Sequence, residues 1–382
     1  MTMRVVVAPD KFKGSLTAVE AARAIGEGVR AALPAAEITL CPVADGGEGT
    51  LDVLLAAGGR RERLRVRGPL SADVDASYVV LDGTAYIESA RACGIEHVDP
   101  TPETALGAHT FGVGTLMRHA IEGGARGLVL TVGGTASTDG GAGMLLALGA
   151  ELTDEAGAQV GLGGGALRDM TSADLNAVRE LLGDVTVRVA TDVTNPLLGP
   201  EGAAAVFGPQ KGAGPAEVET LEAGLRALAD ALRDAGGTAV HDLASSGAGG
   251  GISGGAMAAL GGTAESGFDL VVELTSAAAA VSTADLVITG EGSLDAQSLA
   301  GKAPAGIAAM ARKHGAAVLA VAGRVALSPS ELAGAGIAGS RALIDAAPSL
   351  EVAQRDAFSL LRSQTAELVT AWSGEPRTQL AR

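Results

Sequence analysis

The strongest constraint in this chain is a pattern found near both of its ends: a short apolar run, a Gly-containing loop, then a helical stripe. Residues 4–8 read as a strand, in which Val5 to Ala8 have the uninterrupted apolar character of burial on both faces. Ala18, Ala22, Ile25, Val29 and Leu33 then recur at helical spacing up to Pro34, and Thr17 with Glu20 matches a capping box at the helix start. Residues 37–43 supply a second strand, ADGGEGT a second Gly-rich loop, and residues 51–57 a short helix stopped by Gly58-Gly59. The C-terminal third repeats the theme. ADLVITGEG reads as strand then loop, residues 304–314 as helix, AAVLAVAG and SRALIDAAP as strands, and residues 350–371 as a long final helix.

The middle has a different texture. RERLRVRGPL and DASYVVLDGTAYIES alternate as antiparallel strands do, followed by a helix near residues 113–122, a strand at 127–132, a helix near 143–148 and a strand at 185–190. The expectation is an α/β protein of two domains, which suits a length of 382 residues. Residues 1–60 and 283–382 would form a discontinuous Rossmann-like parallel-sheet domain, and residues 61–282 an inserted second α/β domain.

Charge narrows the partners. With 28 Lys and Arg against 44 Asp and Glu, the net charge of -16 argues against nucleic acid or an anionic membrane. An anionic substrate would then need a local cationic pocket. The longest uncharged run, residues 243–264, has eight Gly and reads as a loop-rich segment, not a membrane span. Cys41 and Cys93 fit neither a disulfide framework nor metal spacing and read as small core residues in a reducing compartment. With no basic leader followed by a long apolar stretch, a cytoplasmic location is expected.

Four of the five lysines, Lys11, Lys13, Lys211 and Lys302, stand in Gly-containing loop-like segments. In an open α/β sheet, the loop after a strand's carboxyl end is where anions bind, because free N–H groups and the helix dipole point there. Asp10, Lys11, Lys13 and Ser15 occupy such a loop. Asp45, Gly46, Gly47 and Glu48 occupy a second, and Glu291 and Asp295, with Gln297 and Lys302 just beyond, a third. Carboxylates, Gly and Lys together suit a metal-bound polyphosphate: Glu291 and Asp295 as hard oxygen ligands for Mg2+, lysines for the phosphates. Turn chemistry alone also favours Asp and Gly. Asp192, directly after a strand and before Asn195 and Pro196, is either a base for a hydroxyl proton or the cap of the following turn. Gln210 and Lys211 lie among turn residues and add anion-binding capacity.

Several functions are excluded. The only Gly-Lys pair is Gly301-Lys302 beside Ala300 and Ala303, so there is no Walker-type loop, and protein-kinase signatures are absent. Two GxGxxG matches, beginning at Gly249 and Gly334, carry no weight in a chain with 56 Gly. The five histidines have no zinc spacing.

APDKFKGS, PVADGGEGT, GGTASTDGG, TDVTNPLLGPEGAAAVFGPQKGA and LVITGEGSLDAQSLAGKAP, in this order from residue 8 to 304, together resemble the type I glycerate kinases. The resemblance implies a two-domain α/β enzyme with an interdomain active site that phosphorylates D-glycerate with ATP and Mg2+, favouring the 2-hydroxyl. It implies that Lys11 and Lys13 hold the glycerate carboxylate or the transferring phosphoryl group, aided by the helix beginning near Ser15 and Thr17, with Lys13 and Asp192 in catalytic roles. Thr138, Ser293 and Cys93 depart from the family pattern, where Asn, Arg and Ser are frequent. Two alternatives stand beside this reading: a kinase for another small hydroxy acid, and a non-catalytic sensor of a phosphorylated metabolite.

Overall fold

The computed structural model describes residues 2–296, 298–299 and 303–374. It divides into two compact units, the first comprising Met1–Asp45, Asp52–Ala57 and Phe268–Arg382, the second Gly46–Leu51 and Gly58–Gly267.

The first unit is built on a five-stranded sheet, ordered Gly339–Ala342, Ala317–Ala322, Leu286–Gly290, Arg4–Pro9, Glu37–Leu40, with every pair parallel. Numbered along the unit, the order is 2-1-3-4-5, the doubly wound arrangement in which the winding reverses between the first and third strands. Alternate side chains feed two separate cores, as a period of two requires. Val5, Val7, Leu286 and Ile288 pack with the helices Ala18–Ala32 and Ala357–Gly374. Val6, Ala8 and Val287 pack with Ile307 and Ala311 of the helix Ala303–Lys313 and with Phe268. The first and last helices approach so closely that a Cβ on Gly28 would lie 2.4 Å from the Arg362 carbonyl oxygen.

The second unit has a six-stranded mixed sheet, ordered Thr263–Glu265, Thr186–Ala190, Gly127–Thr131, Thr84–Glu88, Asp73–Leu81, Arg60–Arg67. The first four are mutually parallel and the last two antiparallel, so the alternating arginine-rich and tyrosine-containing segments form the hairpin side. A single core of Leu, Val, Met and Ala joins this sheet to the helices Phe111–Glu122, Ala142–Leu148 and Pro215–Asp234.

Three local expectations change. The run 243–264 is not merely loop, because it holds the buried helix Ile252–Ala259 and the strand Thr263–Glu265. Its glycines serve close packing: a Cβ on Gly255 would meet the Gly140 carbonyl oxygen at 2.3 Å. The final helix is two, Leu350–Arg355 and Ala357–Gly374, parted at Asp356. Residues 268–282, placed by sequence in the inserted domain, fall in the first unit, since Phe268, Val271, Ala277 and Val281 complete its core.

Candidate active site

The carboxyl ends of the two strands at the reversal point are held together by the Asp10 N–H, which donates to the Gly290 carbonyl at 2.8 Å. The residues that follow them are Asp10, 5% exposed, and Glu291, 8% exposed. Burial is costly for a carboxylate, and Asp10 also faces like charge. Its pKa is raised to about 7, by burial first and then by Asp45 and, less, by Glu291, against the pull of Lys11 and of its N–H. That N–H donates to Asp10 Oδ1 at 2.6 Å. Three carboxylates from three loops thus share one electrostatic neighbourhood. Asp295, expected beside Glu291 as a metal ligand, makes hydrogen bonds within its own loop: its Oδ1 accepts from the Ser298 N–H at 3.3 Å and its Oδ2 from Ser293 Oγ at 3.5 Å. Among the described residues, no three His, Cys, Asp or Glu side chains are arranged to hold a metal ion by themselves.

The lysine loop closes on itself. The Phe12 N–H donates to the Leu16 carbonyl at 2.8 Å, Ser15 N–H and Oγ donate to the Phe12 carbonyl, and Phe12 is buried as the anchor. Lys11 is left half-buried and Lys13 exposed, while Ser15 is spent on the turn. The following helix starts as the sequence predicts. Its N-terminus carries the full capping box, Glu20 accepting from the Thr17 N–H and Oγ1 at 2.9 Å each. A carboxylate therefore already sits where a bound anion would be drawn.

In the second unit, Glu88, Thr131, Ala190 and Glu265 lie in register at the carboxyl ends of the four parallel strands. The loops after two of these strands, Val132 to Thr135 and Thr191 with Val193, line a cavity of about 360 Å³ together with Gln210, Lys211, Gly249 and Gly250. Lys211 is only 5% exposed and its Nζ donates to the Ser137 carbonyl. Burial lowers its pKa to about 8, with Cys93 and Asp139 opposing the shift. Gly249, Gly250 and Gly251 all have positive φ, and a Cβ on Gly250 would lie 2.0 Å from the Ser137 carbonyl oxygen. The left-handed run lets the backbone pass directly over the lysine's anchor.

Asp192 is exposed and stands between two residues of the cavity wall, Thr191 and Val193. Its Oδ1 accepts from the Gly267 N–H at 3.2 Å. Gly267 in turn is packed against the DGGEG loop, since a Cβ on Gly46 would fall 2.3 Å from its Cα. Gly46 is buried with φ 78°, Gly47 is half-buried and Glu48 exposed. Asn195 Nδ2 donates to the Glu201 carbonyl at 2.8 Å and so holds its own turn. Gln210 is exposed at the cavity rim. Gln297 and Lys302 lie outside the described residues.

Sequence reasoning missed Glu88, buried at 2%, whose Oε1 accepts from the Leu51 N–H at 3.0 Å and Oε2 from Arg91 Nε at 2.8 Å. It anchors the first turn of the helix Thr50–Ala56 and thereby the DGGEG loop before it. A glutamate at the end of a strand gives no local sign of this. Asp139, noted only as a polar member of a Gly-rich turn, is fully buried and accepts from Thr110 N–H and Oγ1, Gly141 N–H and Gly143 N–H. It organises the backbone around the cavity.

The chain matches the model of the glycerate kinase family over residues 5–373. It is 38% identical to a glycerate kinase of Halalkalibacterium halodurans over 97% of this chain and 98% of that one. It is 41% identical to the glycerate 2-kinase of Escherichia coli K12 over 84% of this chain and 85% of the relative. The crystal structure of a Salmonella typhimurium LT2 protein assigned as glycerate kinase 2 superposes with a TM-score of 0.85 at 36% identity, over 98% of this chain and 99% of that one. With matches of this extent in both sequence and fold, the chain belongs to the glycerate kinase family.

Proposed function

We propose that this protein transfers the γ-phosphoryl group of ATP to the 2-hydroxyl of D-glycerate. The observation that carries the reading is Lys211: a buried ammonium on the wall of a cavity at the carboxyl ends of parallel strands, with Asp192 beside that wall. A small anionic acid suits this cavity, because a desolvated ammonium and glycine-lined backbone recognise a carboxylate far better than water-exposed lysines would. In the reaction, the glycerate hydroxyl oxygen forms the new bond to Pγ, the bond from Pγ to the bridging oxygen of ADP breaks, and Asp192 accepts the hydroxyl proton. Lys11 and Lys13 offset the phosphate charge.

The donor set at the reversal point fits Mg2+. Asp10, Asp45 and Glu291 carry hard oxygen donors; burial first, and then the like charge of Asp45 and Glu291, pushes Asp10 up to about 7, and a divalent cation held by one or two of them would relieve the like-charge part. Mg2+ characteristically takes one or two carboxylates and completes its shell with substrate phosphates and water. When bound there it would neutralise phosphate charge.

The 2-hydroxyl is favoured by the similarity to the E. coli relative named a glycerate 2-kinase. Mixing the protein with MgATP and D-glycerate, and following ADP release with phosphorus NMR of the product, tests the whole reading. A 2-phosphoglycerate signal is expected. A 3-phosphoglycerate signal would keep the kinase and move the reacting hydroxyl, and turnover only with other hydroxy acids would move the substrate.

A further inference from the structure

The first unit holds a second cavity, of about 400 Å³, at the carboxyl end of the strand Glu37–Leu40. Its walls include Val19, Leu40, Ala56 and Leu274, with Thr275 and Ser276 as the polar edge, and no charged side chain lines it. Val19 and Leu40 are 37% and 46% exposed, two of the five large apolar side chains so exposed among the described residues. Their meeting in one concavity marks a surface shaped to be covered, of the size usual for small-ligand sites. The absence of charge selects a neutral, largely apolar occupant over a phosphate or a carboxylate.

Backbone direction adds a recognition element. Glu37–Leu40 is an edge strand, paired on one side only. The N–H groups of Glu37 and Cys41 point into the sheet, donating to Met3 and Val7. By the alternation of a parallel ladder, the N–H and C=O of Leu40 point outward. A donor and an acceptor on one residue, at the edge of an apolar slot, match the adjacent acceptor and amino group of an adenine ring. From Cys41 the chain runs through Pro42, Val43 and Ala44 to Asp45 of the carboxylate neighbourhood, a span of at most about 14 Å. That reach suits a base at one end and the phosphates of the same nucleotide at the other.

We propose that this cavity binds the adenine of ATP, with Leu40 main-chain atoms reading the base edge and the apolar walls sandwiching its faces. The assignment rests on the kinase reading above and places the nucleotide's base, which that reading leaves open.

The test is the variant Ala56→Phe. Ala56 is exposed at the end of the helix Thr50–Ala56, so the added ring fills the cavity without entering a core. Calorimetry of the full chain with a magnesium-bound, non-hydrolysable ATP analogue should show binding weakened about tenfold or more. Inorganic tripolyphosphate, which lacks a base, should bind the variant as it binds the unmodified protein. Val19→Trp, on the facing wall and also exposed, should give the same split. Unchanged analogue affinity in both variants would overturn the proposal, and so would an equal loss for tripolyphosphate, which would mean general distortion. These readouts need no turnover. Failure of glycerate-dependent ADP release with analogue binding intact would therefore count against the kinase reading and not against the base pocket.

Discussion

The backbone N–H of Asp10 donates to the carbonyl of Gly290 at 2.8 Å, seating two acidic side chains, Asp10 and Glu291, at the point where the winding of the first sheet reverses. Open α/β sheets place ligands at this position for a geometric reason: the loops from neighbouring strands leave in opposite directions and open a crevice. Here the Asp10 carboxyl is buried and faces the like charge of Asp45 and Glu291, an arrangement that costs stability when it ionises.

That cost sets a pH dependence. Asp10 binds its proton more tightly in the folded protein, at about 7, than at its ordinary 3.8. Between these values the folded state holds more protons than the unfolded one, so stability falls as pH rises through the window and stays reduced above it. The loss amounts to about 4 kcal/mol at most. Asp10→Asn keeps an oxygen for the Lys11 N–H and removes the charge. Without Mg2+, its Tm should exceed that of the unmodified protein at pH 8 and match it closely at pH 4, while its turnover falls. Thermal melts across that range check this, and an equal Tm difference at both ends would show that Asp10 is not the titrating group.

Lys211 supplies the second test. A charge-assisted contact from a buried ammonium is worth about 1.5–3 kcal/mol, so Lys211→Met should raise KM for glycerate about ten- to hundredfold and leave KM for ATP nearly unchanged. Because burial brings the ammonium down to about 8, kcat/KM for glycerate in the unmodified protein should decline as pH rises past that value. Steady-state kinetics with each substrate varied in turn reads both effects. A KM change confined to ATP would place the lysine at the nucleotide instead.

How much of this was open to sequence depends on how local the cause is. Val5-Val6-Val7 announces a strand buried on both faces, and Thr17 with Glu20 announces the cap, because each signal lies within one turn or one pleat of its effect. Residues 268–282 carry no such mark: two short apolar helices suit either unit, and only the packing of Phe268 and Val281 decides. The helix Ile252–Ala259 hides in glycine because its stability comes from tertiary contact with Gly140, against its own propensity. The lysines were legible as unusual, yet the difference between exposed Lys13 and buried Lys211 arises from the Gly249–Gly251 backbone folding over Ser137, which lies 74 residues from the lysine in sequence. Asn195 beside Pro196 is a local signal of the same kind as the cap, because its amide holds the turn in which it stands.

Gly46 predicts a structural failure with a catalytic consequence. Its φ of 78° disfavours any side chain, and a Cβ would fall 2.3 Å from Gly267 Cα. Gly46→Ala should cost at least about 2 kcal/mol, seen as a lowered denaturation midpoint. It should also reduce kcat, because Gly267 carries the N–H that holds Asp192. Wild-type stability would mean that the loop shifts freely and that Gly46 is not a fixed spacer.

Asp192 itself gives the sharpest kinetic test. Its Oδ1 accepts from the Gly267 N–H at 3.2 Å, and an asparagine amide oxygen can take the same bond, so Asp192→Asn should keep the local geometry while losing the ability to accept a proton. Position without basicity separates two roles. If the carboxylate takes the hydroxyl proton, kcat should drop by about 10²- to 10⁴-fold with the KM values for both substrates little changed. If the residue only caps its turn, the asparagine serves equally well and turnover stays near that of the unmodified enzyme. Asp192→Ala completes the comparison: a base role predicts an equal loss of kcat in the alanine and asparagine variants, whereas a capping role predicts a loss of stability in the alanine variant alone.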